Sequence, residues 1–123
     1  MLITCSLSQI NNYKIDYKYF IVINPKKVKI KGLSHMPELA PTRELYSWAM
    51  EHKNEANWFD HYKKVFINDM KTRAGMINAL NDIEQKAKTS DVLLVCFCND
   101  VNLCHRGLIA DELKSRGVEV IKN

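Results

Sequence analysis

The chain has 123 residues, 46% apolar and 26% charged, with a net charge of +4; these are the proportions of a globular domain and exclude a disordered or low-complexity chain. No apolar run approaches the roughly 20 residues that a membrane span requires, and the start, "MLITCSLSQINN", has neither the basic opening nor the apolar middle of a secretory signal. The expectations are therefore a cytoplasmic location, no membrane partner, and four cysteines held as free thiols.

In chain order, "LITCSL" (Leu2–Leu7) and "YFIVIN" (Tyr19–Asn24) are short, rich in Ile, Val, Phe and Tyr, and predict strands. Pro25–Pro41 carries all three prolines and reads as loop, except that "KKVKIKG" alternates like an edge strand. Proline suits a first helical turn, and Glu44 suits the dipole, so a helix begins near Pro41 with Leu45, Trp48 and Ala49 on its apolar face. Trp58, Phe59, Tyr62, Phe66 and Met70 recur at intervals of three and four and predict a second helix. A third runs over Ala74–Lys88, with Ile77, Leu80, Ile83, Glu84 and Ala87 on one side. "DVLLVCFC" is apolar nearly throughout, as a central strand covered on both faces is. A helix over Leu103–Ser115, Gly117 as its stop and "VEVI" as a last strand complete a strand–helix–strand unit.

With no repeat, low-complexity tract or linker, residues 1–123 read as a single α/β domain. The expected architecture is a small, open, mostly parallel sheet with helices on both faces, a Rossmann-like three-layer sandwich.

Ligands of such sheets bind beyond the carboxyl ends of the strands. Asn99–Asn102 is a loop of that kind, and Asn102 or Asp100 can cap the helix that follows. At about 100° per residue, Arg106 shares the direction of Leu113, Ile109 and Ala110, the face packed on the sheet. A guanidinium buried there unpaired is costly, and a cation opposes the helix dipole. Helix amides, dipole and Arg106 together favour an anion in the cleft. Cys104 has a thiol near a helix start and neighbouring cations, conditions that favour a nucleophilic thiolate. The plain alternative is a packed cysteine acting as a small apolar group. His105 is a candidate acid or base, though adjacency turns its side chain about 100° from that of Cys104.

Cys96 and Cys98 share one face of the strand, Cys98 nearer the cleft. Cys5, Cys98, Cys104 and His105 contain zinc-binding residue types, but the spacing lacks the paired Cys-x-x-Cys clips of structural zinc, so neither a metal nor a cofactor is expected. Nor is there a phosphatase loop, because Arg106 follows Cys98 by eight residues and Cys104 by two. Lys26, Lys27, Lys29 and Lys31 form a basic segment able to attract phosphates, although a solvated edge that discourages strand pairing is the plainer reading. Trp48, Trp58, Phe59 and Tyr62 fall at helical spacing and read as core ahead of a base-stacking platform.

The stretch "LLVCFCNDVNLCHRGLIADELKSRGVEV" resembles the closing signature of the family called "domain of unknown function 488", in which an apolar strand ends in cysteine and a short loop leads to Cys-His-Arg on a helix. "LITCSLSQI", "ELAPTRELYSW" and "WFDHYKKVFINDM" are similar to its opening strand, its Leu-Ala-Pro segment and its aromatic helix. The resemblance implies an α/β sandwich with the site at Cys98, Cys104, His105 and Arg106. Where many members have an arginine-bearing turn after the second strand, this chain has "VINPKKVKI", so Asn24 and Lys26 or Lys27 stand in its place.

Two classes of function remain open. One is a module binding a small phosphorylated ligand, a nucleotide, through Arg106, Asn99, Asn102, Cys98 and Lys26, with nucleic acid as a further partner. The other is a cysteine-dependent enzyme acting on a nucleotide or nucleic-acid component through Cys104 and His105. The sequence does not fix an oligomeric state.

Overall fold

The computed structural model describes all 123 residues. Five strands, β1 (Leu2–Ser6), β2 (Tyr17–Phe20), β3 (Leu33–His35), β4 (Val92–Cys96) and β5 (Val120–Ile121), form one sheet in the order β3-β2-β4-β1-β5 with every pairing parallel. Four α-helices, α1 (Arg43–His52), α2 (Trp58–Thr72), α3 (Ala74–Thr89) and α4 (His105–Ser115), complete an α/β fold together with 3-10 turns at Leu7–Asn12, Pro37–Leu39 and Val101–Leu103. No helix is long and apolar enough to cross a membrane. The expected open parallel sheet is present, with the apolar "VLLVC" run at its centre and wholly buried.

The layers are unequal. The chain steps one way across the sheet from β1 to β3 and back the other way through β4 to β5. With right-handed crossovers, the connections of the first half therefore fall on one face and those of the second half on the other. The first face carries the 3-10 turn Leu7–Asn12, whose Ile10 is buried. The second carries the α-helices, which pack on one another: Arg116, the C-cap of α4, bonds Glu84 of α3 at 3.2 Å, and the Phe66 ring of α2 lies 5.8 Å from the His105 ring of α4. Helix α4 is buried continuously from His105 to Ala110.

Local chemistry explains most boundaries. Thr42 caps α1, its hydroxyl accepting from the Leu45 amide at 3.1 Å. The α2 stripe of Tyr62, Phe66 and Met70 is buried as its spacing predicts. Gly117 takes the left-handed conformation (φ 89°) that ends α4. Two boundaries depart furthest from expectation. The edge strand is Leu33–His35, and "KKVKIKG" is not a strand: Lys26 (φ 57°) and Gly32 (φ 83°) turn the backbone left-handed at its two ends, and Val28 and Ile30 pack inward against the core. β2 ends at Phe20, not Asn24; the Ile21 amide still bonds the Val95 carbonyl at 3.0 Å, but its own carbonyl is released toward α4.

One residue works against the fold. Asp69 lies in the last turn of α2, where a negative charge meets the negative end of the dipole, and its Oδ2 is buried without a partner. Burial raises its pKa, with Arg73 opposing. A carboxyl whose folded pKa exceeds its unfolded one subtracts stability once ionised, and that penalty vanishes as pH falls through the folded value. Asp69→Asn is expected to stabilise the protein by about 0.5 kcal/mol at neutral pH, and the two proteins to converge in acid. Urea unfolding of both at the two pH values checks this.

Candidate functional site

The strand β4 delivers Cys96 to the carboxyl edge of the sheet, and eight residues later Cys104 stands as the N-cap of α4. The intervening loop returns tightly: the Asp100 carboxylate accepts from the Asn102 amide at 2.9 Å and so caps the Val101–Leu103 turn rather than α4. Gly107 permits the close return, since a Cβ there would stand 2.3 Å from the Val101 carbonyl oxygen. The two sulfurs are thereby brought to 3.1 Å from one another, both buried.

Arg106 lies beneath them with no exposed surface. Its Nε donates to the Asn123 carbonyl (3.0 Å), one terminal nitrogen to the Cys98 carbonyl (2.7 Å) and Cys96 Sγ (3.1 Å), and the other to the Asn99 carbonyl (3.2 Å). Thr4 joins this node, its hydroxyl accepting from the Asn123 amide and donating to the Asn123 carbonyl. The guanidinium is thus turned inward, toward backbone oxygens and one sulfur. Asn99 takes part through its carbonyl, and Asn102 is exposed on the loop.

His105 is buried, and its Nε2 lies 2.7 Å from the Ile21 carbonyl released by the end of β2. A carbonyl only accepts, so Nε2 carries the proton and Nδ1 is left with its lone pair, 3.6 Å from Cys104 Sγ. Cys104 and His105 are therefore in contact despite being neighbours in sequence. Burial holds the His105 pKa below its ordinary value, with Cys96 opposing, and the ring is neutral.

Among the thiols the charged form is favoured at Cys96, the sulfur to which Arg106 donates at 3.1 Å. The hydrogen bond from the Cys104 thiol, helped by the nearby Cys98 thiol and by the Arg106 guanidinium that donates to the same sulfur, outweighs burial and holds Cys96 far below the ordinary thiol range. Cys104 is pushed up to about 12, chiefly as the partner that donates to Cys96. Cys5, buried on β1, is raised to about 11 by desolvation. Cys96, which its strand position marks as an ordinary core residue, is thus the sulfur of the site at which a thiolate is favoured. The signal for it was its alternation with Cys98 on the face that points to the α4 start.

Above the sulfurs opens a cavity of about 680 Å³, whose lining includes Cys96, Cys98, Cys104 and His105 on the floor. Tyr46, Trp58, Tyr62 and Phe97 form aromatic walls, and Lys26 and Arg43 supply two cations; none of the lining residues is acidic. Lys26 reaches over the Phe97 ring, its ammonium 5.1 Å from the centroid. Tyr62 is buried, and its phenol pKa is raised by burial and by the nearby thiols. Arg43, Tyr46 and the wall role of Trp58 were not expected from sequence, because helical spacing alone does not distinguish a core face from one that borders a cavity.

A family model described as DUF488-N3a, the active DUF488-N3 subclade, matches residues 20–117. No curated protein and no solved structure matches the chain.

Removing Arg106 would take the donor from the Cys98 and Asn99 carbonyls and one of two donors from the Asn123 carbonyl and the Cys96 sulfur. Arg106→Met is expected to lower stability by about 3 kcal/mol or more, and Arg106→Lys to recover less than half of that, because one ammonium cannot span acceptors on three segments. Denaturant unfolding gives the numbers; a loss under about 0.5 kcal/mol, typical of a surface change, would contradict this account.

Proposed function

The chain belongs to the DUF488 family, and from that premise we propose that it binds a phosphate-bearing small molecule, a nucleotide, in the cavity above the Cys-His-Arg start of α4. A single observation carries this reading: one cavity combines four aromatic rings with two cations and has no acidic residue in its lining. Its volume, about 680 Å³, lies within the range of small-ligand sites. In this reading the base meets the flat faces of Tyr46 or Trp58, and the phosphates meet Lys26 and Arg43 through charge-assisted hydrogen bonds. Arg106 acts from beneath. It adds positive potential to the floor and fixes the Cys98–Asn99 loop, while its N–H groups stay with the protein.

A second reading is favoured by the thiol geometry. A cysteine-dependent reaction would use Cys104 as nucleophile, with His105 Nδ1, 3.6 Å away, taking its proton. The Tyr62 phenol would donate to the oxygen that gains charge. Here the substrate would be the same nucleotide or nucleic-acid component, bound by the same walls.

Calorimetry or thermal-shift titration with a nucleotide panel and inorganic phosphate tests the binding reading. At least one nucleotide should stabilise the protein, and Lys26→Ala with Arg43→Ala should weaken that binding by about tenfold or more, the loss expected for a charge-assisted clamp. Lack of response to every nucleotide would reject it. The enzyme reading is tested by site-resolved alkylation: a nucleophilic Cys104 should react with iodoacetamide in the folded protein faster than Cys5, and slow reaction until unfolding would reject that role.

A further inference from the structure

The floor of the cavity holds three soft donor atoms, Cys96 Sγ, Cys104 Sγ and His105 Nδ1, all within 4.8 Å of one another and all buried. The geometry points to a site for a zinc-class divalent cation held by these three atoms, with a fourth position open to the cavity. The set differs from the cysteines that their order along the chain suggests, since Cys5 is not part of it and Cys96 is.

The observations that carry this inference are independent of what fills the cavity. The imidazole is already in the tautomer that a metal needs: Nε2–H is engaged by the Ile21 carbonyl at 2.7 Å, leaving Nδ1 to coordinate. A second ring nitrogen bonded to a backbone carbonyl is the usual support of a ligating histidine. The dimensions fit. With zinc–sulfur bonds of about 2.3 Å and zinc–nitrogen bonds of about 2.0 Å, a tetrahedral site has sulfur and nitrogen about 3.6 Å apart and two sulfurs about 3.8 Å apart. The Cys104 Sγ to His105 Nδ1 distance is 3.6 Å. The two sulfurs, at 3.1 Å, need to separate further, which a small rotation of either side chain about its Cα–Cβ bond provides.

The charges fit as well. Two thiolates neutralise a dication, and the proton on Cys104 leaves to solvent as its sulfur–metal bond forms. Arg106 donates to Cys96 Sγ at 3.1 Å, the position of a hydrogen bond to a metal-bound thiolate, and leaves the centre with one net positive charge. That favours water, hydroxide or an anionic ligand at the fourth position. Thiolate and imidazole donors without a carboxylate select zinc over magnesium or calcium. Three protein ligands facing a cavity are the arrangement of a reactive zinc site, whereas structural sites close all four positions. A metal here would also occupy the Cys104 thiol, so this inference and a nucleophilic Cys104 exclude one another.

The experiment uses the whole chain, freed of metal by chelator under reducing conditions and titrated with cobalt(II) as a spectroscopic probe. One equivalent should produce thiolate-to-cobalt charge-transfer absorption together with the intense visible bands of a tetrahedral site, and one equivalent of zinc should bleach both. Cys104→Ser and His105→Gln should weaken cobalt binding at least tenfold, while Cys5→Ser should keep the spectrum. Circular dichroism separates variants that bind poorly from any that do not fold; if both ligand variants fail to fold, the wild-type spectrum and its cobalt stoichiometry still decide. Absence of the charge-transfer band in the folded wild type, or its survival in folded Cys104→Ser or His105→Gln protein, would overturn the inference. So would a reduced protein that takes up no metal but forms a Cys96–Cys104 disulfide on mild oxidation.

Discussion

Burying Arg106 commits this fold to satisfying a cation that pairs with no aspartate or glutamate side chain. A guanidinium removed from water is tolerable only when its N–H groups are paired and its charge is answered. Here the pairing comes from the carbonyls of Cys98, Asn99 and Asn123, and the charge is answered by the Cys96 thiolate. Those acceptors belong to the loop after β4, the end of β4 itself, and the segment after β5. One side chain near the start of α4 therefore holds together the edge of the sheet on which the cavity stands. It also ties down the loop whose 3-10 turn carries Cys104 back over Cys96.

The same interaction explains what could and could not be read from the sequence. The parallel sheet was legible because its central strand is a continuous apolar run and because the alternation of strand and helix after Asp91 permits little else. Helices α1, α2 and α3 were legible from period alone. The role of Arg106 was half legible. Its direction toward the sheet followed from helical geometry, but its partners are backbone oxygens, which every residue possesses and no residue type announces. Read alone, such an arginine looks free to hold an anion. The edge strand was misplaced for a related reason: the alternation of "KKVKIKG" is that of a strand, yet left-handed turns at Lys26 and Gly32 prevent it from pairing.

Cys96 shows how topology creates chemistry that spacing hides. Cys96 and Cys104 stand eight positions apart, too far for a Cys-x-x-Cys metal clip. They meet because the 3-10 turn at Val101–Leu103 folds the loop onto α4 and because Gly107 lets its backbone approach. Once they meet, the two thiols cease to be equivalent. The sulfur that receives the arginine keeps the charge, and the other donates to it. The cavity above is electrically matched to this floor, since its cations and its lack of acids leave the thiolate as the one negative group among the lining side chains.

The order of the strands also governs time. β1 pairs with β4 and β5 and with no strand near it in the chain, so Leu2 waits for Val92 on one side and Val120 on the other. The sheet contains no hairpin that could form early and serve as a template. During synthesis, β1 leaves the ribosome well before either of its partners, and the apolar "LITCS" segment stays unpaired until β4 and β5 have emerged. Loop closures of this length slow folding relative to local pairing, and an exposed strand of that composition is a ready partner for other chains. The helices of the second half are built from contacts local in the chain, whereas the cysteine–arginine node joins β4, α4 and the segment after β5 and needs all three in place.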